Sequence, residues 1–137
     1  MARYKYISRN GRVDGYYSGY TFANQLGVTT QVPYMVEIVS NNASARVREV
    51  NLHGRRVLLR KARVLVTKEN YRILQFLDFL KDIDQYADEN DKILSDRIRK
   101  YVVDVQIKKT EIDCYIKQYP DRIYRYIYEM RLYDVFA

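Results

Sequence analysis

The sequence predicts an α+β domain in which an antiparallel β-sheet from the N-terminal half is covered by about four helices, mostly from the C-terminal half. Three observations lead there. Four of the five glycines (Gly11, Gly15, Gly19 and Gly27) fall within the first 27 residues, and none follows Gly54. Apolar and polar residues alternate through much of 34–66, whereas 67–137 repeats apolar residues at helical spacing. The chain has 137 residues, 47% of them hydrophobic and 30% charged, which suits one domain over 1–137.

Each element has a local reason. Tyr4 to Val13 is expected as a strand pair turning at Asn10-Gly11, a favoured two-residue hairpin turn. Thr21 to Leu26 reads as a short helix, capped by Ser18 or Thr21 and closed by Gly27. Gln31-Val32 before Pro33 is biased extended and feeds a strand over Tyr34–Ser40. There Val36 and Ile38 point one way, Glu37 and Val39 the other. Asn41-Asn42-Ala43-Ser44 is a turn cluster. Arg46–Leu52 and Arg55–Lys61 form strands around a His53-Gly54 turn, and Val64-Leu65-Val66 suggests a fourth strand.

The period then changes. Thr67, Glu69 and Asn70 open a helix whose Ile73, Leu74, Leu77 and Leu80 form one buried face. Phe76 and Phe79 widen it enough to meet both the sheet and another helix. Asp88-Glu89-Asn90-Asp91 is a polar break, followed by the stripe Ile93, Leu94, Ile98, Tyr101 and Val102. Thr110 is expected to cap a third helix bearing Ile112, Tyr115, Ile116 and Tyr119. After Pro120, Asp121 is expected to cap a fourth, with Ile123, Tyr124, Ile127 and Met130 on one side.

Composition excludes several classes. No apolar run approaches the roughly 20 residues that span a bilayer. The first twenty residues are polar and tyrosine-rich, without a signal-peptide core. A single cysteine, Cys114, permits no internal disulfide. A cytoplasmic protein with no membrane partner is the expectation. The formal net charge is +7, but it is uneven: residues 1–67 hold eleven Lys/Arg against three acids, and residues 68–137 hold thirteen against fourteen.

Catalytic sets are missing from the pattern, so the expectation is a non-enzyme with no cofactor and no metal. His53 is the only histidine and sits in a turn; Cys114 reads as a half-buried helical thiol. Asp82 and Asp84 have an Asp-x-Asp spacing suited to magnesium, but lack a preceding Gly-Ser turn and lie among Asp78, Asp88 and Asp91. That reads as a solvated acidic face. No Gly-rich loop ends in Gly-Lys-Ser/Thr, which excludes a P-loop.

Two surfaces remain as candidates. Arg46, Arg48, Arg55, Arg56, Arg60, Lys61 and Arg63 fall within eighteen residues. Regular pairing would put Arg46 with Arg48, and Arg56 with Arg60, on shared faces. Such a basic hairpin suits DNA or RNA phosphates, an acidic protein partner, or simply the solvated side of a half-buried sheet. The second surface is the tyrosine-rich end: six of the fifteen tyrosines fall in the last 23 residues. They are too widely spread around their helices to be all in the core, so self-association is one use for them.

The stretch from Gly15 to Pro33, GYYSGYTFANQLGVTTQVP, resembles a recurring signature. It is similar to the region after the winged helix in AbiEi-type antitoxins, transcriptional regulators of bacterial type IV toxin–antitoxin (abortive infection) systems. The matching parts are the turn Gly15-Tyr16-Tyr17-Ser18-Gly19, a short helix ending in Leu26-Gly27, and the run Thr29-Thr30-Gln31-Val32-Pro33. Similarity continues through Val36-Glu37-Ile38-Val39, Asn41-Asn42, the basic hairpin and Thr67-Lys68-Glu69-Asn70-Tyr71, covering about Tyr6 to Leu80. The resemblance implies a protein that opposes a nucleotidyltransferase-type toxin. The similar segment begins almost at Met1, leaving no room before it for a promoter-binding winged helix, so that activity is not expected of this chain. A shared surface of Tyr16, Tyr17 and Tyr20 is the functional reading of the motif; turn formation and packing are the structural one.

Overall fold

The computed structural model describes residues 3–86 and 91–137; Asp88, Glu89 and Asn90 of the expected polar break lie outside them. The fold is α+β, with most of its helix in the C-terminal half. Two small strands, β1 (Ser8–Arg9) and β2 (Arg12–Val13), pair antiparallel around Asn10-Gly11, both with positive φ. That is the expected hairpin in miniature, because Arg3–Ile7 forms a π-helical turn instead of extending it.

The main sheet holds β3 (Gly15–Tyr17), β4 (Val36–Ser40), β5 (Val47–Leu52) and β6 (Arg55–Lys61), in the order β3-β4-β6-β5. β3 is a strand where the sequence reading placed a turn. β3 with β4 and β5 with β6 are antiparallel, but β4 and β6 are parallel, so the sheet is mixed. After β4 the chain passes to the outermost position, and β6 returns between its predecessors. The expected fourth strand at Val64–Val66 does not form. The Asn41 side chain supplies its pairing, donating from Nδ2 to the Val66 carbonyl (2.8 Å) and accepting the Val66 N–H at Oδ1 (2.8 Å).

Helix α1 (Gly19–Leu26) packs on β4, and α2 (Tyr71–Lys81) on β3. All six apolar residues expected on the α2 face are buried, and α2 also meets α1, α5 (Lys109–Tyr115) and α6 (Arg122–Glu129). Each such side chain removed from water contributes about 1.5–3 kcal/mol. The remaining helices are α3 (Ile83–Tyr86) and α4 (Asp91–Val105); α4 buries Ile98 and Val102 and leaves Ile93 exposed. Alternation divides the apolar residues into two cores. Tyr16 and Val39 join the helices, while Ile38, Val57 and Leu59 pack with Tyr6 and Ile7 on the opposite face.

Of the expected N-caps, Ser18 and Asp121 hold their positions without a side-chain cap bond, and Thr110 is displaced. α1 starts after Ser18, but Ser18 makes no side-chain cap bond; Glu37 of β4 accepts the Tyr20 N–H at 2.8 Å instead. A carboxylate at a helix N-terminus satisfies an orphan donor and opposes the helix dipole. Thr110 lies inside the first turn of α5, because the extended Lys108 is its N-cap. Asp121 holds the N-cap position of α6 without a cap bond. On α6 it is Tyr126 that is buried beside Ile123 and Ile127, and Tyr124 that faces outward.

Candidate binding cleft

The helical layer covers β3 and β4 but stops short of the outer strands. Val47, Glu49, Arg56 and Arg60, on the helix-facing side of β5 and β6, therefore stay exposed. Between this bare strip and the end of α2 lies a cleft of about 700 Å³. Its sheet wall carries Arg46, Val47, Arg60, Lys61 and Arg63; its helix wall carries Asp78, Lys81, Asp82, Gln85 and Tyr86. Ser18, Gly19, Tyr20 and Glu37 close one side.

The acids of the cleft are already engaged. Glu37 caps α1 as described. Asp82 takes the Lys81 ammonium and Nη2 of Arg122 (3.3 Å). Asp78 accepts the Tyr16 hydroxyl. Burial pushes the Asp78 carboxyl above its ordinary range, against the pull of that hydrogen bond and of Lys81 and Arg63. Burial likewise raises the Tyr16 phenol, with the Asp78 charge adding to it. Tyr86 is raised mainly by burial, with Asp82 and Glu37 adding and Arg60 opposing.

The sheet wall is different. The side chains of Arg46, Arg60 and Lys61 have no hydrogen bond or ion pair with any other described residue. Arg63 donates from Nη1 to the Gln118 carbonyl (3.0 Å) and lies over the Tyr119 ring.

Four of the seven basic residues read from sequence have atoms that line the cleft, Arg46, Arg60, Lys61 and Arg63, but of these only Arg60 leaves β6 on the helix side, since Lys61 pairs with Ser40 and lies opposite Arg46 on the other face. The other three do not line it. Arg48 is opposite Leu59 in the register, on the far face of the sheet, and donates to Ser44 Oγ (3.3 Å). Arg56 pairs with Glu49 and lies over the Tyr34 ring. Arg55 lines a separate shallow hollow with Val32, Pro33 and Tyr34. Regular strand pairing therefore splits the basic run between two faces. Lys81 and Tyr86 also line the cleft and carry no signal in the sequence; Ser18, expected only as a helix cap and turn residue, lines it too.

The signature residues are mostly architectural. Gly15 has no room for a side chain, because a Cβ would stand 2.3 Å from the Val39 carbonyl oxygen and 2.5 Å from that of Tyr6. Gly19 has φ +55°, and a Cβ there would meet the Glu37 carboxylate at 2.3 Å. Gly27 closes α1 as expected. Thr29 is buried and accepts the Gln31 N–H at Oγ1 (3.1 Å), shaping the loop towards Pro33; Thr30 and Gln31 are exposed. Tyr16, Tyr17 and Tyr20 share no surface. Tyr16 packs under the helices, Tyr17 on the opposite face, and Tyr20 stands edge-on to Tyr86 at 4.9 Å between ring centroids.

The Asp-x-Asp pair has separate attachments: Asp84 accepts the Tyr126 hydroxyl (2.6 Å), away from the partners of Asp82. Among the described residues no group of three or more His, Cys, Asp or Glu side chains is placed to hold a metal. Cys114 is exposed, not half-buried as expected, because its helix turns it away from Ile112 and Ile116. No helix of the described residues is long and apolar enough to cross a membrane. No protein-family model, no curated protein and no solved structure matches the chain.

Proposed function

We propose that this chain is a non-enzymatic, cytoplasmic binding domain of the AbiEi antitoxin type, acting against a nucleotidyltransferase-type toxin of a bacterial abortive-infection system. The resemblance over Tyr6–Leu80 supplies the class. The observation that supports a binding role is the charge around the cleft, where Arg46, Arg60 and Lys61 have no ionic partner among the described residues. Unpaired cations on a rigid sheet favour association with an acidic surface without first breaking internal bonds. Coexpression with the toxin encoded beside this gene tests the reading. Growth should be rescued by the full chain and reduced when Arg46, Arg60 and Lys61 are replaced together by Ala. Failure of the full chain to rescue growth removes the assignment.

Nucleic-acid binding along the hairpin is the second reading, favoured by the same three cations. Its footprint is shorter than the sequence suggests, since Arg48 faces the other way and Arg56 is paired. It predicts binding that falls steeply with salt.

A further inference from the structure

We propose that the open edge of β5 takes up an extended, acidic and apolar segment of a partner protein as a fifth strand of the main sheet, with the segment's acids against Arg46 and Arg48. This rests on the binding-domain reading above and adds to it the edge and the chemistry of the partner. β5 is the outermost strand of the sheet. The Lys61 N–H donates to the Arg46 carbonyl (3.0 Å), which fixes the phase of the antiparallel β5–β6 pair. Arg46, Arg48, Val50 and Leu52 turn their backbone groups towards β6; Val47, Glu49 and Asn51 turn theirs outwards. Those three outward N–H groups and three carbonyls have no hydrogen-bond partner among the described residues. The register is one-to-one from Val47 to Leu52, with no bulge, proline or glycine to blunt the edge. A regular, open edge of this kind is a template for strand addition.

The side chains select the strand. On the face away from the helices the edge carries Arg46 and Arg48 at one end, with Lys61 opposite Arg46. Half-buried Val50 and Leu52 lie at the other end and pack against the second core of Ile38, Val57 and Leu59. None of the three cations has an ion pair among the described residues; Arg48 donates to the Ser44 hydroxyl (3.3 Å). A strand added antiparallel to β5 places every second side chain on this face. Apolar residues opposite Leu52 and Val50, and acids opposite Arg48 and Arg46, match it.

The same charges disfavour a second copy of this chain. Two-fold pairing of β5 centred on Glu49 would set Glu49 against itself. Centred on Val50, it would place Arg48 opposite Leu52 of the second copy, beside that copy's Arg55. Like charges brought together across strands are destabilising, whereas an acidic strand is attracted.

NMR titration of the isotope-labelled full chain tests this. The probe is the capped peptide Val-Thr-Val-Thr-Glu-Thr-Glu, whose valines would face Leu52 and Val50 and whose glutamates would face Arg48 and Arg46. One control replaces its glutamates by lysine. Another is N-methylated at the three threonines, which keeps the charge and removes the pairing donors. Saturable binding of the glutamate peptide is expected, weakening with salt, with slowed amide exchange at Val47, Glu49 and Asn51. The variant Arg46→Ala/Arg48→Ala should lose at least about tenfold in affinity. Lys68→Ala/Lys117→Ala, an equal change of charge on exposed residues outside the sheet, should bind as the parent does. Glu49→Pro removes one outward donor without touching the β6 ladder and should also lose at least about tenfold. Circular dichroism checks that each variant folds; should Glu49→Pro not fold, the N-methylated peptide makes the same test. The proposal is overturned by any of five results: no saturable binding of the glutamate peptide, equal binding of the lysine peptide, equal binding of the N-methylated peptide, equal loss in Lys68→Ala/Lys117→Ala, or protection of the three edge amides on concentrating the chain alone, which would assign the edge to a second copy. Rescue in cells without peptide binding overturns the edge assignment alone, and peptide binding without rescue overturns the toxin assignment alone.

Discussion

The Tyr16 hydroxyl, on the first strand of the main sheet, donates to the Asp78 carboxylate on α2. It ties sheet to helix across 62 positions of sequence. Asp78 is half-buried, so its charge depends on this donor and on Lys81 and Arg63 nearby. Tyr16→Phe should therefore destabilise the fold by about 1.5–3 kcal/mol, the usual worth of a hydrogen bond to a charged group. Urea denaturation measures it. In the Asp78→Asn background the same substitution should cost less, and equal losses in both backgrounds would show that the bond is not coupled.

The same carboxylate carries a pH signature. Burial places its folded pKa above its unfolded one. Between the two values the native state binds more protons, so Asp78 lowers stability as pH rises through that window. The loss is complete above the folded value and absent below the unfolded one. The stability of Asp78→Asn relative to wild type should accordingly improve as pH rises through the window. A stability difference that stays flat with pH would contradict this.

Glu37 and Gly19 form a second pair. The Glu37 carboxylate caps α1 only because Gly19 leaves its side-chain position empty. Glu37→Ala should cost about 1 kcal/mol, as for other lost caps. Gly19→Ala should cost more, since it adds a positive-φ penalty to a steric one. Thermal melts of both variants would rank them, and the reverse order would refute the arrangement.

Asn41 substitutes for strand pairing at Val66, which is buried. Asn41→Ala leaves a buried N–H and carbonyl without partners, a loss of about 1–3 kcal/mol. Amide exchange at Val66 should accelerate in the variant; unchanged protection would mean that other groups hold this segment.

Leu77 is fully buried on α2. Its replacement by Ala should cost about 2–5 kcal/mol through lost transfer energy and a residual cavity. Exposed Tyr128, 79% accessible on α6, should tolerate Ala within about 0.5 kcal/mol. If Tyr128→Ala changes sedimentation instead, the tyrosine-rich surface is used for self-association.

Periodicity made most of the helices legible. The α2 face was readable because Ile73, Leu74, Leu77 and Leu80 recur at a spacing that only one buried side satisfies. The His53-Gly54 turn and its two strands were readable from local turn chemistry. β3 was not, since Gly15-Tyr16-Tyr17 has turn-forming composition and becomes a strand only beside Val39 and Ser40. The Ser18 cap position was legible, but not that Glu37, distant in sequence, supplies the capping acceptor.

The basic run shows the same division. Sequence alone determined that the excess charge lies in the first half and that Arg46–Arg63 concentrates it, because composition and local period are properties of the chain. Tertiary structure decided which of those charges act together. Inserting β6 between β4 and β5 set a register that turns Arg48 to one face and Arg60 to the other. The end of the helical layer then left Arg60 facing a cleft, with Arg46 and Lys61 at its rim. Long-range pairing sets that outcome, since a side chain's neighbours across a sheet are chosen by the partner strand and not by its own sequence.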